Sequence, residues 1–128
     1  VFVASSSHPF SSEKELYLKD IVTQDFLLTE KDASYRFVLD RYLAAYNLSI
    51  DPFLEIGNTE FIIRMLKNNS GLSLLPEFSV RNEVENGELS ILPVEDFHMR
   101  IWRQILYHKD KWVTREMEAF IALAKSLA

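Results

Sequence analysis

The chain has 128 residues, 48% of them hydrophobic and 26% charged, with 3 Gly and 4 Pro. This composition predicts a folded domain with a sizeable core and argues against disorder. The formal net charge of -5 argues against a nucleic-acid surface, and the absence of Cys excludes disulfides and thiolate chemistry. Because no apolar run approaches the roughly 20 residues of a membrane span, we expect a cytoplasmic protein that does not bind membranes.

Strand-like and helix-like segments alternate along the chain. In order, the predicted elements are a strand (1–4), a loop with a helical turn (5–20), a strand (26–29), a helix (34–46), a strand (53–56), a helix (59–69), a strand (72–75), a short helix ending at 86–87, strands over 89–92 and 101–107, and a final helix from 114. This order predicts the α/β class, with a mainly parallel sheet covered on both faces. Because the first residue is not Met, we expect the sequence to begin inside a larger protein.

The helices are predicted to be amphipathic, with caps at their ends. Asp32 or Ser34 can cap the first long helix, Asn58 or Thr59 the second, and Gly71 can end the second. Apolar residues at helical spacing predict the buried faces. They are Val38, Leu39, Tyr42, Leu43 and Tyr46 in the first helix, Phe61, Ile62, Met65 and Leu66 in the second, and Met117, Phe120, Ile121, Ala124 and Leu127 in the last.

Two strand-to-helix junctions are candidate ligand sites, because ligands bind at the carboxyl ends of strands in open α/β sheets. Residues 29–36 and 57–60 are rich in hydroxyl and amide side chains. At Gly57 a predicted strand is followed by a predicted helix. The unpaired N–H groups of the first helical turn and the positive end of the helix dipole favour binding of an anion. The alternative is that Asn58 or Thr59 is only a helix cap.

Arg36 has two interpretations of its own. Its planar guanidinium can bind a carboxylate from the ligand. It can also form a surface ion pair with a neighbouring acid such as Asp32 or Asp40.

No arrangement of residues in the sequence indicates catalysis or a metal site. His8, His98 and His108 are far apart, and no two of them are at the i, i+3 or i+4 spacing of a zinc motif. There is no Gly-x-Ser-x-Gly and no phosphate-binding glycine loop. We therefore expect no enzyme activity, no catalytic residues, no metal and no cofactor.

Several short motifs in a fixed order resemble the effector-binding domain of LysR-type transcriptional regulators. They are His8-Pro9-Phe10, Leu18-Lys19-Asp20-Ile21, Phe26-Leu27-Leu28-Thr29, Glu55-Ile56-Gly57-Asn58-Thr59-Glu60, Gly71-Leu72-Ser73-Leu74-Leu75-Pro76, Asn86-Gly87-Glu88-Leu89 and Ala119-Phe120-Ile121. The sequence departs from that family where Asn68-Asn69-Ser70-Gly71 replaces a helix end that usually has two glycines. The resemblance spans nearly the whole chain.

The resemblance implies a periplasmic-binding-protein-like (type 2) architecture, in which an inducer lies between two α/β subdomains. Residues 26–92 would form the complete second subdomain. Residues 1–25 would be part of the first, and residues 93–128 would return to it as a strand and a C-terminal helix. The remaining half of the first subdomain and a DNA-reading winged helix-turn-helix would lie outside this sequence.

We therefore expect the effector-sensing domain of a bacterial LysR-type regulator, which binds a small anionic metabolite and contacts DNA only through the missing helix-turn-helix. A solute-binding protein of a transport system is the alternative, because it shares the architecture. The incomplete first subdomain would leave an apolar face uncovered, which predicts self-association. The candidate ligand-binding residues are Thr29, Ser34, Arg36, Gly57, Asn58, Thr59 and Pro76.

Overall fold

Strands and helices alternate through the parts of the chain that this computed structural model describes, residues 1–100 and 104–126 without the side chain of Ser34. The strands are β1 (Phe2–Ser5), β2 (Leu27–Leu28), β3 (Leu54–Glu55), β4 (Leu72–Leu74) and β5 (Leu89–Ile91). The helices are α1 (Leu18–Ile21), α2 (Ser34–Ala45), α3 (Thr59–Lys67), α4 (Glu77–Glu85) and α5 (Arg115–Ser126), with a 3-10 turn at Pro9–Ser12. The α/β class is confirmed.

The strands combine into a mixed sheet in which β1 runs against its neighbours. β1 pairs antiparallel with both β4 and β5, which are therefore parallel to each other. β2 and β3 are parallel, and a parallel bridge between Phe26 and Leu72 joins that pair to β4. The spatial order is thus β3-β2-β4-β1-β5. The predicted parallel arrangement holds for β2 to β5, whereas β1 departs from it.

The pairing of β1 bears on how the chain divides into subdomains. β1 lies between β4 and β5, so the first strand shares a sheet with strands that the sequence assigned to the second subdomain. Just outside the strands, the N–H of Leu92 donates to the carbonyl of Phe2 at 2.9 Å. The division into subdomains stays a prediction, and a boundary that follows the hydrogen bonds would keep β1 with β4 and β5.

Both faces of the sheet are covered by apolar side chains, because alternate strand residues point to opposite faces. On one face, α1 and α2 pack over residues that include Phe2, Ala4, Leu28, Leu72 and Leu74. On the other, α3 and α4 pack over residues that include Val3, Leu27, Leu75 and Leu89. The sheet thus contributes side chains to two hydrophobic cores, one on each face.

The buried stripes of α2 and α3 are narrower than the sequence predicted. In α2, Leu39 and Leu43 are buried, but Val38 and Tyr46 are 42% and 55% exposed. In α3, Ile62 and Leu66 are buried as predicted, Phe61 is 43% exposed, and Ile63 is buried in its place. A helix that rests on a sheet along one line covers only the residues nearest that line, so the edges of a wide apolar stripe stay in solvent.

The chain after β5 differs most from the prediction. Of the predicted strand over residues 101–107, residues 104–107 form no strand, and Ile101 lies outside the described residues. The predicted final helix is present as α5, yet none of its described residues is buried and Phe120 is 64% exposed. Leu127 also lies outside the described part. Helical spacing predicts the apolar face, but burial requires a partner surface. No described helix is long and apolar enough to cross a bilayer.

Candidate functional site

A cavity of about 330 Å³ opens where β4 ends, at the carboxyl edge of the parallel strands. We call it the carboxyl-edge cavity. It lies beside the start of β1, the first turn of α2 and the segment that follows β5. The lining residues are Val1, Tyr35, Leu74, Leu75, Phe97, His98, Met99 and Arg100. No carboxylate is among them.

The segment that carries residues 97–100 is anchored to the core on both sides. The ring of Phe97 packs against Phe2 and Tyr42, with centroid separations of 4.9 and 5.0 Å. The Tyr42 hydroxyl donates to the carbonyl of Asp96 at 2.8 Å, and an Asp96 carboxylate oxygen accepts from the N–H of Leu18 at 2.8 Å. Partial burial and a hydrogen bond with Tyr46 raise the pKa of Tyr42.

Arg36 is buried and joins α2 to the ends of two strands. Its Nε donates to Asp40 at 3.0 Å, and its Nη1 donates to the carbonyl of Thr29 at 2.9 Å and to Glu55 at 3.2 Å. The predicted ion pair with Asp40 is thus present, but Arg36 itself is buried and not on the surface. Because two carboxylates already face one guanidinium, Arg36 offers no surplus positive charge to a ligand in this arrangement.

Thr29 directly follows β2, beside Arg36, and has an unsatisfied side chain. The residue is 5% exposed, and among the described residues its Oγ1 has no hydrogen-bond partner. A buried hydroxyl without a partner is uncommon, because it costs free energy unless something hydrogen-bonds to it. Ser73, in the middle of β4, shows the same feature within the apolar core.

The two helix starts near this edge are capped differently. At α3, the Asn58 side chain accepts from the N–H of Phe61 at 3.0 Å, so Asn58 is the cap. At α2, the cap position falls on Ala33, which makes no side-chain hydrogen bond, and the first turn contains no acidic residue. The predicted cap positions at Asp32 and Ser34 are therefore wrong, and α2 begins with a less satisfied N-terminus than α3.

The junction at Gly57 is surrounded by acids. A Cβ placed on Gly57 would lie 3.3 Å from the Glu30 carboxylate, Glu55 ends the preceding strand, and Glu60 is in the first turn of α3. These carboxylates disfavour another negative charge at the start of α3. Binding by Gly57, Asn58 and Thr59 stays a prediction that this charge pattern does not favour.

The predicted site residues thus fall into three places. Arg36 donates a hydrogen bond to the carbonyl of Thr29. Gly57, Asn58 and Thr59 follow β3, the strand that pairs with β2. Pro76 caps α4 immediately after Leu75, which lines the cavity. The side chain of Ser34 lies outside the described part of the chain. The sequence analysis did not predict Tyr35 or residues 97–100 as site residues. Arg100, a basic residue shortly after β5, was a signal that could have pointed to this segment.

A second cavity of about 380 Å³ lies at the opposite, amino edge of the strands. His8, Asp25 and Asn69 are among its lining residues. Burial lowers the pKa of His8, whose Nδ1 accepts from the N–H of Phe10 at 3.1 Å. Across the described residues, no three His, Asp or Glu side chains cluster so that they could hold a metal ion.

The fold is that of an α/β domain with a cavity at the carboxyl edge of its sheet. The sequence profile of the LysR substrate binding domain matches residues 1–128, and the chain belongs to that family. It is a family of regulatory domains rather than enzymes.

Named relatives are transcriptional regulators. The chain is 32% identical over 124 residues to the HTH-type transcriptional regulator YwqM of Bacillus subtilis, covering 96% of this chain and 41% of that protein. It is 27% identical over 121 residues to the HTH-type transcriptional activator CmpR of Synechocystis, covering 94% and 40%. The chain therefore spans about two fifths of the length of these curated relatives.

Solved structures support the same fold. The regulatory domain of CcmR from Synechocystis, in complex with 2-PG, has a TM-score of 0.77 at 18% identity, covering 99% of this chain and 61% of that one. The effector binding domain of QuiR, in complex with shikimate, has a TM-score of 0.69 at 15% identity, covering 99% and 59%. These neighbours confirm the type 2 periplasmic-binding-protein-like architecture.

Proposed function

We propose that this chain senses a small anionic metabolite and thereby modulates transcription, as part of a bacterial LysR-type regulator that acts in the cytoplasm. DNA would be contacted by a helix-turn-helix elsewhere in the intact protein. The observation that carries this proposal is the carboxyl-edge cavity, which has no carboxylate among its described lining residues and adjoins the start of α2, where Ala33 provides no side-chain cap. The relatives' names favour a regulator over the solute-binding protein that the sequence left open.

The proposed mechanism is a population shift. A ligand that contacts both subdomains binds their closed arrangement more tightly, and its differential affinity sets how far the equilibrium moves. The liganded CcmR and QuiR domains support a small molecule as the signal in proteins of this fold.

The direct test is a thermal-shift screen of the intact protein against carboxylate and phosphate metabolites. Binding to the native state alone stabilises it by roughly 2.7 kcal/mol at a ligand concentration 100 times Kd, which is a measurable rise in Tm. A true effector should also change promoter occupancy in a gel shift at matched salt. A screen in which no anion raises Tm would contradict the proposal.

The two unpaired hydroxyls allow a matched pair of variants. Thr29→Val and Ser73→Ala each remove a buried hydroxyl that has no partner among the described residues, so each should raise the free energy of unfolding by about 1 kcal/mol. Only Thr29 lies at the carboxyl edge, so only Thr29→Val should weaken the effector response. Urea unfolding and effector titration of both variants measure these effects. Equal effector affinity in the two would leave Thr29 with a packing role alone.

We also propose that the isolated 128-residue chain self-associates through α5. Phe120 and Leu123 are 64% and 60% exposed, and Leu106 and Trp112, before the helix, are 85% and 84% exposed. Apolar surface on this scale rarely stays exposed in a soluble monomer, and a second copy of the chain offers the same surface.

Light scattering at low micromolar concentration should therefore show a dimer or larger species. Leu123→Glu should shift this species toward monomer, because burying a carboxylate against an apolar partner is costly. Phe37→Glu, at a 58% exposed position on α2, is the control and should leave the mass unchanged. A monomeric parent chain would show that α5 needs no partner.

A further inference from the structure

We infer that Arg100 supplies the positive charge that holds the effector's anionic group in the carboxyl-edge cavity; this inference rests on the proposed function. The sequence had pointed to Arg36 and to the start of α3 for that role. Charge and burial around each candidate decide between them.

Arg36 and the Gly57 junction are poor anion sites in this structure. Arg36 is committed to Asp40, Glu55 and the carbonyl of Thr29. At the junction, Glu30 and Glu60 add further negative charge. An incoming anion would meet more carboxylate than cation at either place, which costs free energy at short range.

The carboxyl-edge cavity has the opposite charge pattern. Arg100 and His98 line it, and no Asp or Glu is among its described lining residues. Arg100 is exposed, so its guanidinium remains hydrated and can exchange water for a ligand. A guanidinium presents a planar fork of donors that matches carboxylate and phosphate oxygens.

The backbone that carries Arg100 is positioned by the core. Three residues before it, Phe97 packs between Phe2 and Tyr42, and the carbonyl of Asp96 is held by the Tyr42 hydroxyl. This anchoring limits how much order the segment must gain when a ligand binds, which favours affinity.

The other residues that line the cavity indicate the chemistry of the rest of the ligand, beyond its anionic group. Tyr35, Leu74, Leu75, Phe97 and Met99 present aromatic and aliphatic surface. A cavity of about 330 Å³ suits a small metabolite. The ligand class is therefore a carboxylate or phosphate ester with a compact, partly apolar body, rather than a bare inorganic anion.

Isothermal titration of the intact protein can test this with defined probes. Shikimate and phenyl phosphate are ring-bearing anions that separate a carboxylate from a phosphate source. Methyl shikimate and phenol are their neutral counterparts, and inorganic phosphate is an anion without a ring. The variants are Arg100→Gln, the conservative Arg100→Lys, and Arg81→Gln on the exposed surface of α4 as a matched loss of one positive charge.

We expect at least one ring-bearing anion to bind, with affinity that falls roughly tenfold or more in Arg100→Gln, because a charge-assisted pair is lost. Arg100→Lys should be intermediate and Arg81→Gln unchanged, and the neutral probes and inorganic phosphate should bind more weakly.

Unchanged affinity in Arg100→Gln, equally tight neutral probes, or no binding by either ring-bearing anion would overturn the inference. Neutral probes that bind parent and Arg100→Gln alike would sink the role of Arg100 but keep a small-molecule pocket. If no probe binds and the thermal-shift screen also finds no ligand, both the role of Arg100 and the proposed ligand-sensing function are contradicted.

Discussion

Replacing Gly71 with alanine should destabilise the domain by roughly 3–5 kcal/mol, enough to prevent stable folding. Gly71 has a φ of +128°, where residues with a side chain are strained. A Cβ at this position would also overlap the backbone carbonyl of Asp25. That carbonyl accepts from the N–H of Leu72 at 2.9 Å and cannot retreat without breaking the link between the start of β2 and β4.

Gly87 provides the matched control. Its φ is +72°, but a Cβ there would meet no atom within 4 Å, so Gly87→Ala should cost only about 1 kcal/mol of backbone strain. Urea unfolding followed by circular dichroism compares the two variants. Equal losses would mean that backbone conformation alone governs Gly71 and that the approach of Asp25 is relieved cheaply.

Removing the charge of Arg36 should have the second-largest effect. In Arg36→Met the apolar stem is replaced by a side chain of similar size, but Asp40, Glu55 and the carbonyl of Thr29 lose their shared donor. We expect a loss of roughly 2–4 kcal/mol in unfolding free energy. This lies below the full cost of breaking a buried ion pair, because the Asp40 and Glu55 side chains are 41% and 33% exposed and partly regain water.

Asp40→Asn separates the role of the charge on Asp40 from the role of the hydrogen bond that it accepts from Arg36. The amide oxygen can still accept from the guanidinium, so this variant should lose at most about 1 kcal/mol. Urea midpoints of the two variants measure the difference. An Arg36→Met protein with parental stability and lost effector binding would reverse our assignment and make Arg36 a direct ligand contact.

Short-range signals explain what was predictable. The helical spacing of apolar residues predicted α2, α3 and α5, and the cap of α3 is Asn58, one of the two residues that the sequence offered. These features depend on residues a few positions apart. The caps proposed at Asp32 and Ser34 failed because Ala33 occupies the cap position, a shift of one residue that no local propensity resolves.

The candidate site was predictable only in outline. Reasoning from the carboxyl ends of strands led to Thr29 and Arg36, which do lie together at one edge. It did not reveal that Arg36 is neutralised by Glu55, because that residue is 19 positions away and meets Arg36 only through the pairing of β2 with β3. Tyr35 and Arg100 likewise share a cavity across 65 positions of sequence.

Periodicity and short motifs are properties of neighbouring residues, so they were enough to predict the α/β class, the order of the elements as far as β5 and membership of a ligand-sensing family. Three features required the folded chain: the antiparallel place of β1 between β4 and β5, the burial of single side chains, and the sign of the charge at each possible binding site. Strand direction depends on long-range hydrogen bonds, burial on a partner surface, and local potential on charges that the fold brings together.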